Sequence, residues 1–252
     1  MPSESVSTGD QDVAMGDSSD SREAAAEAAE VPHETSRTGS QALVVAAKIG
    51  SFLARVAEEP LEQVSGIITD KLKYVRWERS LRLIDRAQEL MDRRAGRMTP
   101  RRVPLNVAIP VFEAASLEED DGLQDVWANL LVNAVDADSG VEIKRALVSI
   151  LQDFGPMEVR LLQAIHDAPD PKVPTKGLPD AYVEPGDQEV DPGLPPGPVQ
   201  VGLWQLVRLG CITEAGTWDS LAGIRRVRIT ALGKTMVEAC SETPRRLAAR
   251  QA

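Results

Sequence analysis

The stretch that most constrains the fold runs from Val103 to Val135, VPLNVAIPVFEAASLEEDDGLQDVWANLLVNAV. It reads as two helices joined at an acidic corner. In the second, Leu123, Val126, Trp127, Leu130, Leu131, Ala134 and Val135 recur at helical spacing and form one apolar stripe. Asp120 or Asp121 supplies the N-cap. The carboxylates of Glu118, Glu119, Asp120 and Asp121 sit where a helix N-terminus favours negative charge. Trp127, at the middle of the stripe, is the largest piece of core in this half of the chain. The stripe specifies a helical protein and carries no catalytic signature.

Composition agrees with a helical reading. Hydrophobic residues are 42% of the 252, but aromatic ones only 4%. Alanine and leucine therefore carry the apolar share, which favours helix packing over a β-sandwich. The formal net charge of -11 makes a uniformly nucleic-acid-binding surface a poor expectation, so the distribution of charge matters more than its sum. Cys211 and Cys240 lack metal-ligand spacing and read as two buried, reduced thiols. The acidic, polar N-terminus has neither the basic nor the apolar region of a signal peptide. No apolar run is long enough to span a bilayer. A cytoplasmic protein is expected, with the inner-membrane surface as an alternative location.

In chain order, residues 1–40 form an acidic tail too poor in large apolar residues to offset its ordering entropy. A helical domain is expected over 41–153. Its first helix carries Leu43, Ile49, Phe52, Leu53 and Val56. A second, begun by Pro60, carries Leu61, Val64, Ile67, Ile68 and Leu72. These two read as a core pair, or alternatively as a membrane-surface pair. From Lys71 to Arg102 the charge turns basic, with Arg76, Arg79, Arg82, Arg86, Arg93 and others on one long helix whose inner side holds Leu81, Ile84, Ala87, Leu90, Met91 and Met98. Such a helix can meet phosphate or an anionic headgroup, or can pair internally with the Glu118–Asp121 corner. Pro104 and Pro110 bracket a short helix with a kink at Pro110. The polar side of the Trp127 helix carries Asp125, Asn129, Asn133 and Asp136. A capped helix explains these residues without a divalent-metal site, because no histidine and no calcium-loop pattern accompanies them. Further helices are expected over Val141 to Gln152 and Met157 to His166.

A second module is expected over 154–240. Residues 168–199 are rich in Pro, Gly and Asp and read as a long, little-packed loop. Leu203 to Leu209 reads as a short helix ended by Gly210, Cys211-Ile212-Thr213 as a strand, and Ile224 to Ile229 as another. Thr230 caps a last helix, and a frayed tail covers 241–252. This is the order of a winged-helix module. A base-reading helix needs Arg, Lys, Asn or Gln, and the Gly202–Leu209 helix offers only Gln205 and Arg208. Arg225, Arg226 and Arg228 on the second strand suit phosphates. A packing or protein-contact role is favoured over sequence-specific DNA binding. The fold class expected is mainly α: an N-terminal helical bundle followed by a winged-helix-like α+β module.

The run LEQVSGIITDKLKYVRWERSLRLIDRAQELM, the Pro104 and Pro110 segment, the Glu118–Asp121 corner, Trp127-Ala128-Asn129-Leu130-Leu131 and the Leu-Gly and Thr-x-Leu-Gly endings resemble the Abi-alpha family of bacterial abortive-infection proteins. The resemblance covers residues 42 to 240 apart from the Pro/Gly-rich loop. It implies a phage-defence protein that acts by interaction and not by catalysis. It supplies no catalytic residues and no cofactor. Its partner would be another protein or a phage component, with an anionic membrane surface, a second copy of the chain or nucleic acid as alternatives. The surfaces nominated for contact are Arg76, Arg79, Arg86 and Arg93 on the basic helix and Glu118, Glu119, Asp120 and Asp121 at the corner. Arg225, Arg226 and Arg228 are the phosphate contacts of the alternative, a winged-helix nucleic-acid-binding regulator.

Overall fold

A computed structural model describes residues 47–57, 76–181, 193–215 and 223–242. The expected acidic tail, the helix begun by Pro60, the turn after Gly216 and the basic end of the chain lie outside the described residues. Helix α1 (residues 47–56) buries Ile49, Phe52, Leu53 and Val56, the one-sided spacing of an amphipathic helix. Its Phe52 meets Phe112 edge to face, with ring centroids 5.8 Å apart at 68°. Val103 N–H donates to the Val56 carbonyl at 2.8 Å, which fastens the end of α1 to the start of the central stretch.

Helix α2 (Trp77–Arg93) buries Ser80, Leu83, Ile84, Ala87 and Leu90. It is shorter than the basic run suggested. Gly96, at φ +77, takes the left-handed conformation that closes a helix end, so the chain turns before Thr99-Pro100. Its buried stripe also runs through Leu83, whereas Leu81 is only partly covered. Helix α3 (Leu105–Leu117) contains Pro110 rather than ending there. A proline inside a helix leaves the carbonyl four residues earlier without a partner, and here that carbonyl belongs to the exposed Asn106.

Helix α4 (Asp121–Val135) is the centre of the molecule. Asp120 is its N-cap, accepting from Leu123 N–H at 2.7 Å. Leu123, Trp127, Ala128, Leu130, Leu131 and Val132 are buried, and so are Gln124 and Asn133. The side with Asp125, Asn129 and Asn133 is turned towards α2 and the last helix instead of water. Helix α5 (Arg145–Gln152) begins after Val141 and Ile143, which are buried in an extended run. Helix α6 (Pro156–Asp167) starts with proline in its first turn, and Glu158 Oε2 accepts from Gly155 N–H at 2.9 Å.

The remainder is a small sheet set among helices. Strand β1 (Val173–Pro174) is followed by helix α7 (Gly197–Arg208), strands β2 (Ile212–Glu214) and β3 (Arg226–Ile229), and helix α8 (Ala231–Cys240). The strands pair antiparallel in the order β1-β3-β2, with Val173 opposite Val227 and Thr213 opposite Arg228. Strand β1 falls inside the segment read as a little-packed loop. There Val173, Thr175, Leu178 and Ala181 are buried, and Thr175 Oγ1 donates to the Ile224 carbonyl at 2.7 Å. The Leu-Gly and Thr-x-Leu-Gly endings have structural roles. Gly210 is left-handed at φ +72. Thr230 caps α8 by accepting from Gly233 N–H at 3.0 Å. A Cβ on Gly233 would lie 2.0 Å from the Cys211 carbonyl oxygen, so only glycine lets α8 sit this close to β2. The fold is mainly α with one three-stranded sheet near its C-terminal end.

Candidate functional site

The basic helix and the acidic corner are brought against each other. Arg76 and Glu119 are 2.5 Å apart, as are Arg79 and Asp121. Arg79 also donates to the Glu119 carbonyl. Arg82 reaches Asp121 at 3.3 Å and Asp125 at 3.1 Å. Arg86 reaches Glu89 at 3.1 Å and Asp125 at 3.2 Å. Partners rise together along both helices, so α2 and α4 run parallel with a ladder of ion pairs between them. Hydrogen bonding to Arg79, with the charge of Arg82 beside it, holds the Asp121 carboxyl below its ordinary value, and the same contact raises Arg79. Asp120 is occupied as the cap, and Glu118 Oε1 accepts from Asp120 N–H at 2.8 Å. Arg93 leaves the ladder for Glu242 at 3.1 Å, beyond α8.

Two buried polar residues complete this seam: Gln124, which sequence reasoning does not single out, and Asn133, which it places on the polar side of the helix. Gln124 donates to the carbonyls of Arg79 and Ala115, both at 3.0 Å, and accepts from Arg82 at 2.9 Å, tying α2, α3 and α4 together. Asn133 Nδ2 donates to the carbonyls of Ala239 at 2.8 Å and Ser241 at 2.9 Å, the open end of α8. Its Oδ1 accepts from Arg94 at 2.7 Å, and Arg94 also donates to the Glu242 carbonyl. Buried polar groups need partners, and here the partners are the ends of other helices. No periodicity of apolar residues could have shown this.

A cavity of about 350 Å³ lies where α4, α5, α6 and α8 meet, lined by Val126, Leu151, Phe154, Leu162, Met236 and Cys240 among others. The polar groups on its rim are engaged. Gln163 donates to Asp167 at 2.8 Å and Ser241 to the Val237 carbonyl at 2.6 Å. Burial pushes the Cys211 thiol up to about 11, and burial with Cys211 nearby pushes Cys240 up to about 12. Neither thiol is poised as a nucleophile at neutral pH. His166 pairs with Asp167 at 2.8 Å. The Gln163 hydrogen bond, then that of His166, lowers the Asp167 carboxyl. Among the described residues no group of three or more His, Cys, Asp or Glu is placed to hold a metal ion. No helix among them is long and apolar enough to cross a membrane.

Two open surfaces stand out among the described residues. One is the outer face of α7. Leu203 and Leu206 point inward, while Val201 is 68% and Trp204 50% exposed. Of the base-reading candidates on α7, Gln200 donates to the Ile224 carbonyl at 3.3 Å, Gln205 donates to the Asp153 carbonyl at 3.2 Å, and the exposed Arg208 donates to the Asp153 carboxylate at 2.8 Å. The other is the outer face of the sheet. Arg226 and Arg228 are exposed on either side of the buried Val227, and Arg225 is exposed beside them, its carbonyl accepting from Thr175 N–H at 2.9 Å.

Comparison with known proteins gives one result: the family described as abortive infection alpha matches residues 78–240, more than half of the chain. The chain belongs to that family. The match opens just inside α2 and closes at the end of α8, so it holds the ion-pair ladder from Arg79 onward, Gln124, Asn133 and the sheet, while Arg76 precedes it. Helix α1 lies outside it. No curated protein and no solved structure matches the chain.

Proposed function

We propose that this abortive-infection-family chain is a phage-defence protein that acts in the cytoplasm by contacting another protein, without chemistry of its own. The observation that carries the reading is the outer face of α7. The order helix, strand, helix, strand, strand, helix over α6 to α8 is that of a winged-helix module, in which α7 stands where a base-reading helix would. Here that position presents Val201 and Trp204 to water, while Gln200 and Gln205 bond to main-chain carbonyls of the protein and the exposed Arg208 is paired with Asp153. An exposed aromatic next to an aliphatic side chain suits a protein-contact anchor. It does not suit base edges, which require donors and acceptors.

The test is a phage challenge of a susceptible bacterial host expressing the chain, at low and high multiplicity, beside the variant Val201→Ser/Trp204→Ser. Protection at low multiplicity with culture collapse at high multiplicity is expected for the wild type. The variant is expected to lose protection while keeping its urea midpoint, since both side chains are exposed. A stable variant that protects as well as the wild type overturns the α7 contact. No protection by well-expressed wild type across a broad panel overturns the defence reading.

A further inference from the structure

In a chain of net charge -11, an open basic surface is the exception, and the described residues hold one that the basic helix does not account for. Arg76 and the arginines of α2 are taken up by carboxylates, Arg93 by Glu242 and the others by those of the ladder. Those of β3 face outward from the sheet. Strand alternation sends Val227 to the core and Arg226 and Arg228 to the other side. The antiparallel register of Val173 with Val227, continued by one residue, sets Lys172 opposite Arg228. Lys172, Arg226 and Arg228 are exposed, and no carboxylate among the described residues forms an ion pair with any of them. Adjacent strands are about 4.8 Å apart and alternate residues of one strand about 7 Å, so the three cations form one compact triangle. Their neighbours on that face, Pro174 and Thr213, are small and exposed.

We infer that this face of the sheet binds the phosphate backbone of nucleic acid without reading its sequence. Guanidinium forks match phosphate oxygens, and a flanking ammonium adds a point charge. Base readout is not expected because the side chains of α7 that could supply it, Gln200, Gln205 and Arg208, are engaged with Ile224 and Asp153. An anionic bilayer is the poorer fit. Interfacial binding combines cations with large apolar residues inserted among the headgroups, and the outer rows carry none. This inference is independent of the protein contact assigned to α7.

The test is fluorescence anisotropy of a labelled DNA duplex of mixed sequence with the full chain, repeated over a range of salt. Three neutralised phosphates give a slope of log affinity against log salt of about -2.7, or roughly a 40-fold loss between about 50 and 200 mM. The single variant Arg226→Gln is expected to bring the slope to about -1.8. Lys172→Gln/Arg226→Gln/Arg228→Gln is expected to abolish binding with an unchanged circular dichroism spectrum. Arg76→Gln, which removes a cation already paired with Glu119, is expected to leave the affinity as it was. A duplex of unrelated sequence is expected to bind equally. Absence of binding at low salt overturns the inference. So does a triple variant that still binds, an Arg76→Gln variant that weakens binding as much as Arg226→Gln does, or binding to phosphatidylglycerol vesicles without binding to the duplex.

Discussion

Replacing Asn133 by alanine tests whether the C-terminal module is held to the helical half by a polar hub. The side chain is fully buried on α4. It serves the Ala239 and Ser241 carbonyls at the open end of α8 and holds Arg94. Alanine leaves the buried Ala239 carbonyl and the half-buried Ser241 carbonyl without this donor, each costing about 1–3 kcal/mol. Arg94 keeps the Glu242 carbonyl and lies 3.9 Å from Asp136, so its share of the loss is smaller. The total comes to about 4 kcal/mol, or a fall in Tm of about 8–16 °C for a chain of this size. Asn129, one turn earlier on the same helix, is the control. Its buried Oδ1 finds no hydrogen-bond partner among the described residues. Asn129→Ala therefore removes a desolvated group that is already unsatisfied, with an expected change within about 1 kcal/mol of zero. Urea unfolding followed by tryptophan fluorescence compares the two. If the two variants fall within about 1 kcal/mol of each other, Asn133 is not the tie between the halves.

Gly233→Ala is expected to destabilise strongly, because its Cβ would meet the Cys211 carbonyl at 2.0 Å, whereas Gly50→Ala, with nothing within 4 Å on helix α1, is expected to stabilise by about 0.5–1 kcal/mol; thermal melts of both separate close approach from helix propensity. The lowered Asp121 carboxyl sets a pH dependence of defined sign. Its stabilisation is fully present above the ordinary aspartate value and disappears as pH falls through the lower folded-state value. Asp121→Asn is therefore expected to flatten the acid limb of the Tm-against-pH curve, and an unchanged acid limb would count against the Arg79 contact. Thiols raised to about 11 and about 12 are expected to resist iodoacetamide at neutral pH until urea unfolds the chain, with uptake read by mass spectrometry; prompt labelling of the folded protein would contradict the packing around α8.

Features written in local spacing were legible in the sequence. The α4 stripe, its Asp120 cap, the glycine that ends α7 and the threonine that caps α8 each depend on residues a few positions apart. Features that depend on distant partners were not. Strand β1 holds a proline in a Pro/Gly-rich run and is a strand only because β3 lies beside it. Helix α2 was read too long because its charged run continues past Gly96, where the backbone turns left-handed. Gln124 and Asn133 look like surface residues by type, and their burial follows from carbonyls on three other helices that no window of sequence contains. The nominated arginines and carboxylates are a concentration of charge along the sequence, and the pairing of α2 with α4 determines which of that charge meets solvent.

That pairing changes how a basic run should be weighed. On α2, cations recur at three- and four-residue spacing, which points them along one helix face. A parallel neighbour with carboxylates at the same spacing can then neutralise them one by one, as Asp121 and Asp125 do. On β3 the alternation of a strand sends Arg226 and Arg228 away from the core, and no carboxylate among the described residues forms an ion pair with either. Among the described residues, β3 therefore leaves more arginines without an ion pair than α2 does. The same logic applies to α7, whose inward Leu203 and Leu206 fix the helix so that Val201 and Trp204 must face water. Both open surfaces are consequences of core packing on the opposite side of their own elements. Substitutions on either should alter binding while leaving the fold intact, the property that makes the two assignments separable by experiment.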